Sequence, residues 1–246
     1  MGFYEQIAPH YEQLFPAEPE QLGFIKNAAG EPPKRLLDIA CGAGLYSVAL
    51  AQEGYDMWAA DLDAEMIRQT NARAAAGGVS VRAVMLDMLE LNKLETELFD
   101  CVFCIGNSIV HLAGRDAIFS ALLQMKERLR HSGRLVLQII NFDRVISRGI
   151  TTLPSILKPE TGLEFHRNYS FDTKTGLIGF DTVLKVIHHG EAEKYSNRIK
   201  LFPLVASELR NLLERAGFSG IEFFGNFSMQ QYAEEESYLL VARASK

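Results

Sequence analysis

Apolar positions along the chain follow two different periods, and the switch between them divides it. Residues 35–40 (Arg-Leu-Leu-Asp-Ile-Ala) form a short apolar run of the kind carried by a strand covered on both faces. Gly42 and Gly44 make a turn, after which Leu45, Val48 and Ala49 repeat at helical spacing until Gly54. The alternation continues with strands predicted at 55–60, 79–86, 99–105 and 135–140. Between them, Asp63 reads as the N-cap of a helix whose Met66, Ile67, Thr70 and Ala74 share one face, stopped by Gly77-Gly78. Ile118, Leu122, Met125 and Leu129 mark another amphipathic helix, with Gly133 as its expected C-terminal cap. Strands alternating with helices in this way predict an α/β fold with a doubly wound, mostly parallel sheet.

From 141 to 203 the pattern changes. Three strand-like runs, 163–171, 177–187 and 195–202, are separated by short turn-rich links, the signature of an antiparallel meander. Helical spacing resumes at Leu209, Leu212, Leu213 and Ala216, with Ser207 as expected N-cap, and strands at 221–227 and 238–243 close the chain. These last two bring the expected main sheet to seven strands, the final pair forming an antiparallel edge. At the front, 2–14 reads as a helix broken at Pro9, and 21–29 as a second helix ended by Pro32-Pro33. The expected organisation is one domain from 1–141 and 204–246, with 1–34 as a helical cover and 142–203 as an inserted substrate or lid subdomain.

Composition narrows the partners. The chain has 246 residues with 25 basic and 31 acidic side chains, a net charge of −6, which argues against a nucleic-acid backbone as main partner. No apolar run reaches the roughly 18 residues of a membrane span. The first ten residues lack a signal-peptide pattern, Gln6 spoils a myristoylation match, and the three cysteines form no disulfide framework. A soluble cytoplasmic protein is expected, and no motif dictates an oligomeric state.

In doubly wound sheets ligands bind at the carboxyl ends of the strands, where the strand order reverses. The predicted strand ends read Asp38-Ile-Ala-Cys-Gly42-Ala-Gly44, then Asp61, then Asp87-Met88, then Gly106-Asn107-Ser108. Gly42-x-Gly44 admits close backbone approach to a ligand, and Asp61 is placed to accept from ribose hydroxyls. A dinucleotide would want a third glycine where Ser47 stands, and its pyrophosphate would be repelled by Asp38. A sulfonium cofactor with an amino-acid tail brings no phosphate and a positive amine, for which Asp38 is a sensible partner.

Leu37-Asp-Ile-Ala-Cys-Gly-Ala-Gly44 and the acidic Asp61-Leu-Asp-Ala-Glu-Met66 resemble the first two motifs of class I S-adenosylmethionine-dependent methyltransferases. The resemblance implies a Rossmann-like methyltransferase fold with S-adenosyl-L-methionine as cofactor and S-adenosyl-L-homocysteine as product. It implies that Ala40, Gly42 and Gly44 contact the methionine part, that Asp61 holds the ribose, and that Leu62 packs on the adenine near Met66. Asp87 would accept from the adenine amino group beside Met88, and Ile105 and Gly106 would line the sulfonium region. Tyr4 and Tyr11 resemble the Tyr-rich first helix that covers the cofactor.

Gly106-Asn-Ser-Ile-Val-His-Leu112 is similar to a stretch of glycine and sarcosine N-methyltransferases, which implies that Asn107 and His111 lie near the transferred methyl. The arginine motif of those enzymes is not intact after the fifth strand, where this chain reads Asn141-Phe-Asp-Arg144; this speaks against glycine itself as acceptor. Candidate acceptor contacts are Asn141, Arg144, Arg167 and Tyr169, the last two sharing a strand face with Phe165 and Phe171 that reads first as the meander's own core and second as a wall for an apolar or aromatic acceptor. His188-His189 and Cys101-x-x-Cys104 are not read as metal sites, because such spacings on a strand point to opposite faces. The expected function is methyl transfer to a small-molecule acceptor, an amine first. The alternatives are a nicotinamide-dependent oxidoreductase and a non-catalytic S-adenosylmethionine-binding regulator.

Overall fold

A computed structural model describes residues 8–188 and 191–246. Tyr4, the start of the first helix and His189 lie outside them. The main sheet contains β1 (Arg35–Ile39), β2 (Asp56–Asp61), β3 (Val81–Met85), β4 (Phe99–Cys104), β5 (Leu129–Ile140), β10 (Ser219–Phe224) and β11 (Leu239–Ser245). Its order is 3-2-1-4-5-11-10, parallel from β3 to β5, with β11 antiparallel between β5 and β10. A second, antiparallel sheet holds β6 (Thr152–Lys158), β7 (Leu163–Asp172), β8 (Leu177–His188) and β9 (Glu191–Leu201) in sequential order.

Helices cover both faces of the main sheet. The helices α2 (Pro19–Ala29), α3 (Leu45–Gln52) and α4 (Ala64–Ala76) pack on one face through Phe24, Ile25, Val48, Leu50 and Ala74. On the other face α5 (Arg115–Arg128), α6 (Phe142–Ser147) and α7 (Ala206–Arg215) bury Ile118, Leu122, Met125, Phe142, Leu209 and Leu213. Cys101 and Cys104 fall in these two opposite layers, as a strand's period of two requires for positions three apart. No helix among the described residues is long and apolar enough to cross a membrane. The crossovers place the reversal of strand order between β1 and β4, and the crevice above it receives every strand end named from the sequence.

Several expected details are corrected. Gly133 does not cap α5: the helix ends at Arg128, and Gly133 lies within β5, beside a register shift against β4. A Cβ there would come within 3.0 Å of Phe99 O, so the close approach of backbone is what the glycine permits. Ser207 does not cap α7; the N-cap is Val205, and the Ala206 amide is satisfied by Asp143 Oδ2 at 2.8 Å, from across the entry to the meander. The meander has a fourth strand, β6, and a short helix, α6, ahead of it. By contrast Asp63 caps α4 as expected, accepting from Glu65 N at 2.9 Å and Met66 N at 3.2 Å.

The short helix α1 (Tyr11–Leu14) does not rest on the main sheet alone. Leu14 joins Leu163, Phe165, Leu184 and Val186 in a small core, with Phe15 edge-on to Phe165 at 5.7 Å. The N-terminal cover is therefore stitched to the meander, and the two together roof the crevice.

Candidate active site

The crevice holds two adjoining cavities. One, of about 540 Å³, lies over β1, β2 and β3 and is lined by Gly42, Asp61, Leu62, Met66, Asp87 and Met88 among others. The second, of about 400 Å³, runs from Asp38 and Ile105 to the meander. Tyr11, Ala40, Gly106 and His111 line both and mark their junction.

The loop after β1 is shaped by contacts that exclude side chains. Gly42 (φ +54°) and Gly44 (φ +73°) are left-handed; a Cβ on Gly42 would sit 2.7 Å from the Tyr11 hydroxyl, and one on Gly44 2.5 Å from Thr70 Cγ2. Thr70 Oγ1 donates to Gly42 O at 3.0 Å, and Arg73 Nε to Ala43 O at 3.1 Å. Asp61 closes the loop from the neighbouring strand: its Oδ2 accepts from Gly42 N at 2.8 Å and its Oδ1 from Asp63 N at 2.9 Å. Burial pushes its pKa up despite these backbone donors. Leu62, beside it, is 70 % exposed, an apolar platform at the cavity's edge. Asp87 Oδ1 accepts from Leu89 N at 2.9 Å, leaving a carboxylate oxygen toward the cavity it lines.

Asp38 is 2 % exposed and takes a 2.7 Å hydrogen bond from Ser47 Oγ, the residue standing where a third glycine would be. Burial raises its pKa to about 7, with the Asp61 charge adding to the rise and Ser47 opposing it. A cation placed nearby would restore its charge.

Ala40 (φ +57°) and Asn107 (φ +69°) are both left-handed without being glycine, and both sit at the junction ends of β1 and β4. Asn107 Oδ1 accepts from Ile140 N at 2.9 Å, and Gln138 Oε1 accepts from Gly106 N at 2.7 Å. The mouths of β4 and β5 are thus laced together, and what Asn107 can still offer the cavity is its amide N–H. His111 stands in a 3-10 turn, Ile109–His111, held by Phe202 N donating to Val110 O at 2.9 Å from the end of the meander. The ring is exposed to the open cavity yet crowded by protein on its other sides, and that burial lowers its pKa.

Two candidate acceptor contacts are corrected. Asn141 is buried away from both cavities, and its side chain is fully used: Oδ1 lies 3.2 Å from Arg144 N and 2.7 Å from the Tyr232 hydroxyl, while Nδ2 donates to Glu234 O and Ser237 O at 2.7 and 2.8 Å. Arg144 lies behind the wall, its guanidinium 5.9 Å from the ring of Tyr238, which does line the acceptor cavity. Arg167 and Tyr169 line that cavity, and Phe171 is exposed instead. Sequence reasoning missed Tyr46, Gln21 and Glu18 in its lining on the Asp38 side, where the Tyr46 hydroxyl donates to Gln21 Oε1 and burial raises the hydroxyl's pKa to about 12. It also missed Thr182, Asn197 and Tyr238, which strand pairing alone brings there.

The groups present fit a sulfonium nucleoside with an amino-acid tail. Carboxylates at Asp38, Asp61 and Asp87, an apolar platform at Leu62, and a glycine loop offer no lysine or arginine for phosphate. Comparisons agree. Residues 36–133 match the family described as a methyltransferase domain. The glycine/sarcosine N-methyltransferase of Aphanothece halophytica is 27 % identical over 221 residues, covering 89 % of this chain and 80 % of that protein. The structure of the CcbJ methyltransferase from Streptomyces caelestis superposes with a TM-score of 0.81 at 19 % identity, over 98 % of this chain and 96 % of that one. That of CalS10, an amino pentose methyltransferase from Micromonospora echinaspora solved with S-adenosylmethionine bound, gives 0.68 at 18 % identity, over 100 % and 92 %. Together these findings support a class I S-adenosylmethionine-dependent methyltransferase, and an enzyme of that kind. Nothing supports the oxidoreductase or regulator alternatives.

Proposed function

We propose that the enzyme methylates the nitrogen of a small-molecule amine held between the main sheet and the meander. The observation that carries this reading is the continuity of the two cavities at Tyr11, Ala40, Gly106 and His111. A group in the smaller cavity can meet a methyl presented from the larger one. The N-methyltransferase relatives and the similarity of 106–112 to their sequence support nitrogen as the acceptor atom.

The cofactor would be held by Gly42, Gly44 and Asp38 at its amino-acid end, by Asp61 at the ribose, and by Leu62, Met66, Asp87 and Met88 around the adenine. When bound, it supplies an electrophilic methyl on sulfur, which an amine lone pair displaces in line. The protein's part is alignment and proton handling. Ala40, Ile105 and Gly106 set the floor, Tyr11 covers the junction, and the Asn107 amide orients the acceptor. A lowered pKa keeps His111 neutral at pH 7, so its ring can take the proton from an incoming ammonium or from the newly methylated amine. Holding the two reactants in one geometry contributes several kcal/mol to lowering the barrier. The three cysteines are free and buried, which fits a reducing, cytoplasmic setting.

Calorimetric titration with S-adenosylmethionine, S-adenosylhomocysteine and NAD, followed by a mass-detected screen of amine, phenol and acid acceptors, tests the reading. Binding of both sulfur nucleosides and transfer to an amine is expected. Transfer only to phenols or acids would overturn the choice of nitrogen.

A further inference from the structure

The meander presents its chemistry to the cavity in rows. Antiparallel pairing sets Arg167 of β7 opposite Thr182 of β8, and Thr182 opposite Asn197 of β9. Two residues along, on the same face, runs the apolar row Tyr169–Phe180–Ile199, and Phe165 flanks the polar row on the other side. A polar stripe between apolar ones thus faces the acceptor cavity.

The polar stripe is incomplete. Among the described residues, Arg167 Nε, Tyr169 Oη and Thr182 Oγ1 are buried polar atoms without a hydrogen-bond partner. Thr182 and Tyr169 are each 4 % exposed. A buried donor left unpaired is destabilising, so three in one wall mark where a ligand completes the structure. Arg167 is already aimed: one of its terminal nitrogens donates to Pro154 O at 2.7 Å, and its guanidinium lies 5.9 Å from the Phe165 ring centre. Burial raises the pKa of Tyr169, which therefore remains a donor. All three groups can donate, and among the described residues Arg167 is the only lysine or arginine lining either cavity. The carboxylates Asp38, Glu18, Asp61 and Asp87 lie toward the other end, so an anionic group is steered to the meander and a cationic one to the junction. The cofactor's amino-acid end takes the Asp38 side of this cavity, and the aromatic rows of Phe165, Tyr169 and Phe180 line its meander side, a wall longer than a two-carbon amino acid covers.

We infer that the acceptor is a ring-bearing amine that carries a carboxylate or similar oxyanion remote from the nitrogen to be methylated. Its ring lies against Phe165, Phe180 and Ile199, and its oxyanion completes Arg167, Tyr169 and Thr182. The inference rests on the methyl-transfer reading above and specifies its substrate class.

The test is calorimetric binding to the full-length protein saturated with S-adenosylhomocysteine. The probes are 4-(aminomethyl)benzoate, benzylamine, which lacks the carboxylate, and glycine, which lacks the ring. The first is expected to bind about tenfold or more tightly than either other, as a charge-assisted hydrogen bond predicts. Arg167→Gln should erase the advantage over benzylamine while S-adenosylhomocysteine affinity stays unchanged, and Thr182→Val, nearly isosteric, should reduce it several-fold. Equal binding of the benzoate and benzylamine, a preference for glycine, no binding of the benzoate, or a preference that survives Arg167→Gln would each overturn the inference. Failure of S-adenosylhomocysteine to bind would instead bring down the underlying methyltransferase reading, and the inference with it.

Discussion

On the sheet side of the crevice the carboxylates and Asn107 are each anchored by a protein partner, whereas on the meander side, among the described residues, three buried polar atoms have none. Asp61 is fixed by the amides of Gly42 and Asp63, Asp38 by Ser47, and Asn107 by Ile140. Arg167 Nε, Tyr169 Oη and Thr182 Oγ1 wait for an outside group. The sheet side is pre-organised around an invariant ligand, so its groups can be locked before binding. The meander side is adjustable: changing one cross-strand residue alters what the wall recognises without disturbing the loop after β1.

The largest effect that would sharpen this contrast is expected from Gly44→Val. The new side chain meets Thr70 in a left-handed backbone position, which should cost about 2–4 kcal/mol of stability and abolish measurable S-adenosylhomocysteine binding, while a meander variant leaves both intact. Thermal unfolding and calorimetry check it. Next, His111→Gln should lower kcat by about a hundredfold through loss of a proton acceptor, with cofactor affinity unchanged. Equal losses in both would make the ring structural. Asp61→Ala should weaken cofactor binding by about 1–3 kcal/mol, and part of that loss reflects a loosened glycine loop, visible as faster amide exchange at Gly42.

The smallest effect is a pH dependence. With its pKa near 7 in the free protein, Asp38 is largely neutral below that value and cannot pair with the cofactor's ammonium. Binding should release a proton, and affinity should rise by up to about tenfold per pH unit below pH 7 and level off above it. Asp38→Asn should flatten the curve. The stability of the free protein runs the other way. A carboxyl whose folded pKa is raised contributes fully below its unfolded value near 4, and that contribution is lost as the pH rises through 7. Unfolding measured between pH 5 and 8, with and without the Asn variant, checks the sign.

The same contrast explains what the amino-acid sequence made legible. The nucleotide side could be read because its parts are local: glycine turns, an Asx cap at Asp63 and carboxylates at strand ends all lie within a few residues of what they serve. The order of those ends in one crevice then follows from the topology. The meander side depends on register between distant strands, so Thr182 and Asn197 carried no signal until they were paired with Arg167. β6 was hidden by Pro154, which suits an edge strand, and by Pro159 just past its end, both of which read as turn residues. Ser207 lost the capping role to Asp143, and Asn141 was drawn into holding the C-terminal loop, because both outcomes depend on groups at least 63 positions away. Gly133 looked like a helix stop, yet its task is to let β5 pass Phe99 closely.

The Asp143 carboxylate has a wider consequence. Its Oδ2 receives the amide of Ala206, where the chain leaves the meander, and sits 2.9 Å from the hydroxyl of Tyr232, while Asp143 itself follows β5, where the chain enters. The way in and the way out of the insertion are therefore clasped at one point, independently of what lies between. One carboxylate thus acts as a hasp on a hinged panel: with Asp143→Asn both ends of the meander are expected to loosen together, read as faster amide exchange at Ala206.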